Sequence, residues 1–150
     1  GIACTNYLNS YVATIAHVSV NRSTGMVKVD RVVCAQDMGE IINPQGAIIQ
    51  IEGGITMGLS AALTEEIEFQ GGRIQTENFD SYQITRFSDA PPIEVVLVNN
   101  PDIPPQGCGE PAITTVGAAL ANAIFDATGA RLFTLPMTPE RIVKAMDSKS

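Results

Sequence analysis

One carboxylate, Glu110, stands in a loop of glycine and proline, "PPQGCGEPAITT", directly ahead of a long apolar segment. Gly107 and Gly109 open backbone angles closed to other residues, and Pro111 stiffens the exit, so such a loop aims a side chain. Glu110 lies just upstream of a helix expected to begin between Pro111 and Ile113, where unpaired amides favour an ionised carboxylate. Apolar surroundings would act the other way. A carboxylate under those two pressures suits general-base work, while an acid that only complements the helix dipole would have the same sequence context.

A second polar residue in unusual company is Gln50. Gly46, Gln50, Gly54 and Gly58 recur at every fourth position of a helical segment, which stacks three bare backbone patches and one amide on a single face. Each glycine inside a helix costs about 1 kcal/mol relative to alanine, so that face must gain something in return. Either a neighbouring helix or strand packs closely on it, or Gln50 points a donor and an acceptor at a ligand lying along the glycines. Spacing alone leaves both readings open.

Other chemistries lack their residues. His17 has no second histidine to work with, and it is expected to be a solvent-facing or hydrogen-bonded strand residue. The sequence offers no paired glycosidase carboxylates, no Ser–His–Asp set and no histidine pair for a metal. Cys4, Cys34 and Cys108 are scattered without a CxxC pair, so thiolates alone build neither an iron–sulfur cage nor a closed zinc site. They are expected to be reduced, partly buried thiols. A net charge of −7 without a Lys/Arg cluster argues against nucleic acid as a partner. No uninterrupted apolar run reaches the roughly 18 residues of a membrane span, and no basic-then-apolar leader opens the chain, so a soluble protein is expected. The sequence does not distinguish cytoplasm from periplasm.

The elements that must position these residues can be drawn from periodicity. The 150 residues, 45% hydrophobic and 17% charged, suit one domain with a real core. A start at Gly1, with strand-like sequence following almost at once, suggests a processed or excised piece of a larger subunit. "VATIAHVSV" (12–20) puts Val12, Thr14, Ala16, Val18 and Val20 on one face. "NRSTG" then supplies a turn into the valine-rich "MVKVDRVVCA", and together they predict a β-hairpin. Residues from Asn43 onward change to helical period, with Asn43 as N-cap, Pro44 at the first helical position and Ile48, Ile51, Ile55, Leu59 and Ala62 as the apolar stripe.

Gly71-Gly72 marks a second hairpin, 86–92 is expected to be loop, and the apolar "IEVVLVN" is expected to be a buried strand. The next helix carries Val116, Leu120, Ile124 and Ala127 and stops at Gly129. Thr138-Pro139-Glu140 opens a last helix, with Ile142, Val143 and Met146 turned inward. Hairpins with helices between and after them predict an α+β fold: a mostly antiparallel sheet with helices packed on one face.

Three ordered segments, "VVCAQDMGEIINPQGAIIQIEGGITMGLSAAL", "NFDSYQITRFSDAPPIEV" and "PPQGCGEPAITTVGAALANAIFDATGARLFTLPMTPE", closely resemble the C-terminal part of the large, molybdenum-binding subunit of the xanthine dehydrogenase/aldehyde oxidase family. The wording is nearest the branch that holds the bacterial aldehyde dehydrogenase and isoquinoline 1-oxidoreductase β-subunits, and the resemblance covers residues 5 to 143. It implies that residues 1–150 are one domain, the C-terminal portion of a molybdopterin-binding domain.

By that resemblance Glu110 is the catalytic base beside the molybdenum, taking a proton from a metal-bound hydroxide while hydride passes to the molybdenum's sulfido group. Gln50 contacts the pterin, with Gly54 and Gly109 beside it. The implied cofactor is molybdopterin in its cytosine dinucleotide form, with iron–sulfur and flavin or haem groups only on partner subunits or domains. No side chain of this chain is expected to ligate the metal. Implied partners are the rest of the molybdenum subunit, an iron–sulfur subunit and an aldehyde or N-heterocycle substrate. Cys108 departs from the small apolar residue expected between the two glycines, and a thiol there bears on substrate fit. A non-catalytic binding or assembly module of the same fold is the alternative.

Overall fold

A computed structural model describes residues 1–148. In chain order the elements are β1 (Ile2–Tyr7), β2 (Ser10–Val20), β3 (Val27–Asp37), α1 (Pro44–Leu63), β4 (Phe69–Gln70), β5 (Arg73–Ile74), a 3-10 turn (Phe87–Asp89), β6 (Ile93–Val98), α2 (Ile113–Thr128) and α3 (Pro139–Asp147). The main sheet has the order β1-β2-β3-β6. Its first three strands pair antiparallel, and β6 lies parallel to β3. A small hairpin of β4 and β5 turns through Gly71 and Gly72, both at positive φ.

Alternation decides which face of the sheet is covered. Val12, Thr14 and Ala16 in β2 and Val32, Cys34 and Gln36 in β3 are buried beneath the helices. His17, with the opposite parity, is exposed. Val18 and Val20 stay half-buried after the register shifts at His17/Val18. From the helical side come Ile51, Ile55, Leu59, Val116, Leu120, Ile124 and Ile142, all within one core. This is the expected α+β arrangement, a mostly antiparallel sheet with helices on one face.

Both ends of the helices follow local chemistry. The Asn43 side chain accepts from the Gly46 amide and Pro44 opens α1. The Thr138 side chain caps α3 by accepting from Arg141 N. Gly129 closes α2 at φ 79, where a left-handed residue is needed and glycine has no Cβ penalty. By length and composition α1 is apolar enough to cross a membrane, although no uninterrupted apolar run signalled it. Here its buried side, from Ala47 through Ile51, Ile55 and Leu59, packs into the core.

Three expectations are corrected. The β6 run is not a buried strand: it is a sheet edge with no fully buried residue, and Val96 and Val98 are 43% and 42% exposed. Its continuous apolar sequence arises because one face meets the core and the other meets an uncovered side of the sheet. Ala127, read as part of the α2 stripe, is exposed, because the helix has run past the layer beneath it. Of the cysteines, Cys34 is buried and Cys108 half-buried, but Cys4 is exposed on the open face of β1.

Candidate functional site

The loop from Asn99 to Glu110 is irregular, yet its backbone is tied down along its length. Asp37, the last residue of β3, accepts from Gly39 N at 2.9 Å and from Asn100 Nδ2 at 3.1 Å. Glu40 N donates to Ile103 O at 2.9 Å, and Gln106 N donates to Met38 O at 2.8 Å. Gly39, at φ +75, lies so close that an added Cβ would sit 2.4 Å from Pro104 O. Only glycine combines that dihedral with that approach.

Two further contacts set the tip. The hydroxyl of Ser10, a fully buried residue, donates to Gly107 O at 2.8 Å. Gln50 Nε2, in the second turn of α1, donates to Gly109 O at 3.0 Å. Gln50, far from Glu110 in sequence, is thus tied to the loop residue that precedes it. Gly54 and Gly58, on the same face of α1, are buried against α2. A Cβ at Gly54 would lie 3.7 Å from the Ala112 Cβ, and one at Gly58 only 2.9 Å from that of Val116. The two readings of this face therefore divide along the helix: packing against α2 at Gly54 and, more tightly, at Gly58, and an exposed amide bonded to the loop at Gln50.

Glu110 is exposed, and its carbonyl accepts from Ile113 N at 3.2 Å where the chain turns into α2. That helix has no side-chain cap. The carboxylate does not fold back over the first amides of α2; its Oε2 accepts from the Tyr7 hydroxyl instead. The phenol of Tyr7 is raised above its ordinary pKa, first by this hydrogen bond, then by the carboxylate's charge and last by burial. Among the described residues the ion pairs are Lys28–Asp30, Arg31–Glu94 and Arg141–Glu66, none of which involves Glu110.

Tyr7 reaches Glu110 because of the β1–β2 turn. Leu8 and Asn9 both have positive φ, 48° and 64°, giving the tight two-residue turn whose twist suits a hairpin. Tyr7 pairs with Ser10 across it, so both side chains point to the helix side of the sheet, one to Glu110 and the other to Gly107. Tyr7 was missed in the sequence. The clue was local: Asn9, a residue tolerant of left-handed backbone, between two short polar and aromatic stretches that read as strands only once paired. Its partner lies 103 residues away.

Cys108, half-buried, packs against the core cluster. The described residues include no group of three or more His, Cys, Asp or Glu able to hold a metal ion. What the site does offer is room and hydrogen bonding. Gln50, Gly107, Gly109 and Glu110 are all exposed, and a Cβ on either loop glycine would meet nothing within 4 Å. A separate cavity of about 750 Å³ beside Lys28, Leu63, Arg86 and Asp89 lies at the opposite end of β3 and contains none of these residues.

Residues 3–91 match the family described as the molybdopterin cofactor-binding domain. The chain is 38% identical to a subunit of the nicotinate dehydrogenase of Pseudomonas putida, over 97% of its own length and 13% of that protein's. It is 40% identical to the β-subunit of isoquinoline 1-oxidoreductase from Brevundimonas diminuta, over 93% of this chain and 18% of the relative. Among solved structures, quinoline 2-oxidoreductase from Pseudomonas putida 86 superposes with a TM-score of 0.84 at 29% identity, covering 92% of this chain and 19% of that one. The chain thus spans less than a fifth of the length of each of these three proteins.

Proposed function

Since the chain belongs to the molybdenum-binding xanthine dehydrogenase/aldehyde oxidase family, we propose that it forms the Glu110 side of a molybdenum hydroxylase active site, in which Glu110 is the base. One observation supports this reading: the Gln50 amide, on α1, is bonded to the carbonyl of Gly109, the residue before Glu110, on an anchored loop with open space beside its glycines. An acid that served only the helix dipole would sit on the α2 amides, and Glu110 does not.

The residues present fit a pterin carrying its own metal. Gln50 spends one N–H on Gly109 O and retains its carbonyl oxygen and second N–H for a heterocycle. Gly109 lacks a side chain where one would intrude on that space. Gly54 lies beneath the site, buried where α2 seats on α1, at ordinary contact distance from Ala112. A metal brought in on an organic ligand needs no cluster of protein ligands. Bound there, molybdopterin, in the cytosine dinucleotide form, would supply the redox step. Glu110 would take a proton at its Oε1, the oxygen that Tyr7 leaves free. The substrate class is an aldehyde or an N-heterocycle, the latter in keeping with the names of the nicotinate and isoquinoline relatives. The remaining contacts come from the rest of the molybdenum subunit, and electrons leave through an iron–sulfur subunit.

The test is Glu110→Gln in the full-length complex. This change preserves size and hydrogen bonding while removing proton acceptance, so turnover should fall by roughly 10²–10⁴. Molybdenum content and thermal stability should stay near wild type. Reduction of the metal centre by substrate at the wild-type rate in Glu110→Gln would reject Glu110 as the base.

A further inference from the structure

Glu110 has two carboxylate oxygens, and the structure treats them differently. Oε2 accepts from the Tyr7 hydroxyl. Oε1 has no protein partner among the described residues. A glutamate on an exposed loop has three side-chain torsions to fix, and the anchored backbone of residues 103–109 fixes none of them. The Tyr7 ring is attached to the last position of β1, half-buried and held by strand pairing to Ser10. Its hydroxyl is therefore a fixed point against which the carboxylate can be oriented.

We propose that Tyr7 is a positioning residue for Glu110: its hydroxyl holds Oε2 so that Oε1 faces the open space beside Gly107 and Gly109. This rests on the reading of Glu110 as the base. Tyr7 itself touches neither substrate nor cofactor. The hairpin end acts on the loop twice, through Ser10 to the backbone of Gly107 and through Tyr7 to the side chain three residues later. Backbone and side chain of one loop are thus registered to one rigid turn. Other titratable groups on the loop itself are Asp102 and Cys108, and those on the segments next to it include Asp37, Glu40 and Glu52. Asp37 is engaged by Gly39 and Asn100, and Cys108 packs against the core.

The full-length complex allows three proteins to be compared: wild type, Tyr7→Phe and Glu110→Gln. Tyr7→Phe should lower kcat roughly tenfold while KM, molybdenum content and melting temperature stay near wild type, the pattern of a disordered base and not of a damaged site. Phenolate absorbance offers a readout independent of turnover. Subtracting the alkaline titration of Tyr7→Phe from that of wild type isolates the Tyr7 phenol, which should ionise above the ordinary tyrosine range. The same subtraction in the Glu110→Gln background should show it ionising at lower pH, because a neutral amide replaces the charged acceptor that raises it. A Tyr7 component that titrates like an ordinary tyrosine and ignores Glu110→Gln would overturn the pairing. Wild-type kcat in Tyr7→Phe alongside a crippled Glu110→Gln would overturn the positioning role while leaving the base intact. Wild-type kcat in both would remove the base and the positioning role together.

Discussion

Gln36 carries its whole side-chain amide into the interior, beside Val12 and Leu97 across the sheet, and neither Nε2 nor Oε1 has a hydrogen-bond partner. An orphaned buried amide costs about 1–3 kcal/mol. Methionine matches its length without the polar atoms, so Gln36→Met should stabilise the protein by about 1–2 kcal/mol, read as a higher midpoint in urea at unchanged slope. A lower midpoint would mean that a buried water or another segment satisfies the amide. At this scale the sequence was legible where chemistry is local. Glu110 and Gln50 stood out because glycines around a polar residue are costly without a reason. Gln36 and Tyr7 did not, because one looks like any strand glutamine until its burial is known, and the other acquires its role from a residue on the far side of the chain.

Among the elements, the two helices that frame the site meet through glycine. Gly58 faces Val116 so closely that even a methyl group would be 2.9 Å from two of that side chain's carbons, whereas Gly54 has ordinary contact distance to Ala112. β-branched Val116 cannot easily turn aside within its helix. Gly58→Ala should therefore destabilise by about 1–3 kcal/mol through overpacking, outweighing its helix-propensity gain. Gly54→Ala should be neutral or stabilising by up to about 1 kcal/mol. Thermal unfolding of the pair checks this, and equal effects would show that helix spacing is not set at Gly58. The caps at Asn43 and Thr138 and the stop at Gly129 were legible because they are written within four residues. The place of β6 in the sheet was not. An apolar run is the same whether two layers cover it or one, and only strand order reveals that β6 is an edge.

For the whole molecule, the decisive feature is what the sheet leaves uncovered. Strand pairing places Ile2, Cys4, Tyr11, Ala13, Ile15, Val33, Ala35, Val96 and Val98 on the face opposite the helices. Of these, Ile2 and Tyr11 are each 57% exposed. The proposed cofactor side is equally open, with Gln50, Gly107, Gly109 and Glu110 all at the surface. Tight binding of a small organic cofactor requires that roughly 70–90% of its surface be enclosed, and one loop and one helix face cannot enclose it. The relatives it resembles are several times longer, length enough to supply further walls. The 150-residue chain expressed alone should therefore fold on its own core, self-associate through the apolar sheet face, and retain little molybdopterin. Gel filtration should show dimers or larger species that dissociate when Ile15→Lys places a charge in the patch. Metal analysis should find far less than one molybdenum per chain, and dye-linked oxidation of aldehydes or N-heterocycles should be absent. Stoichiometric molybdenum with turnover in the short chain would show instead that the Gln50–Glu110 loop and its helix face hold the cofactor without further walls.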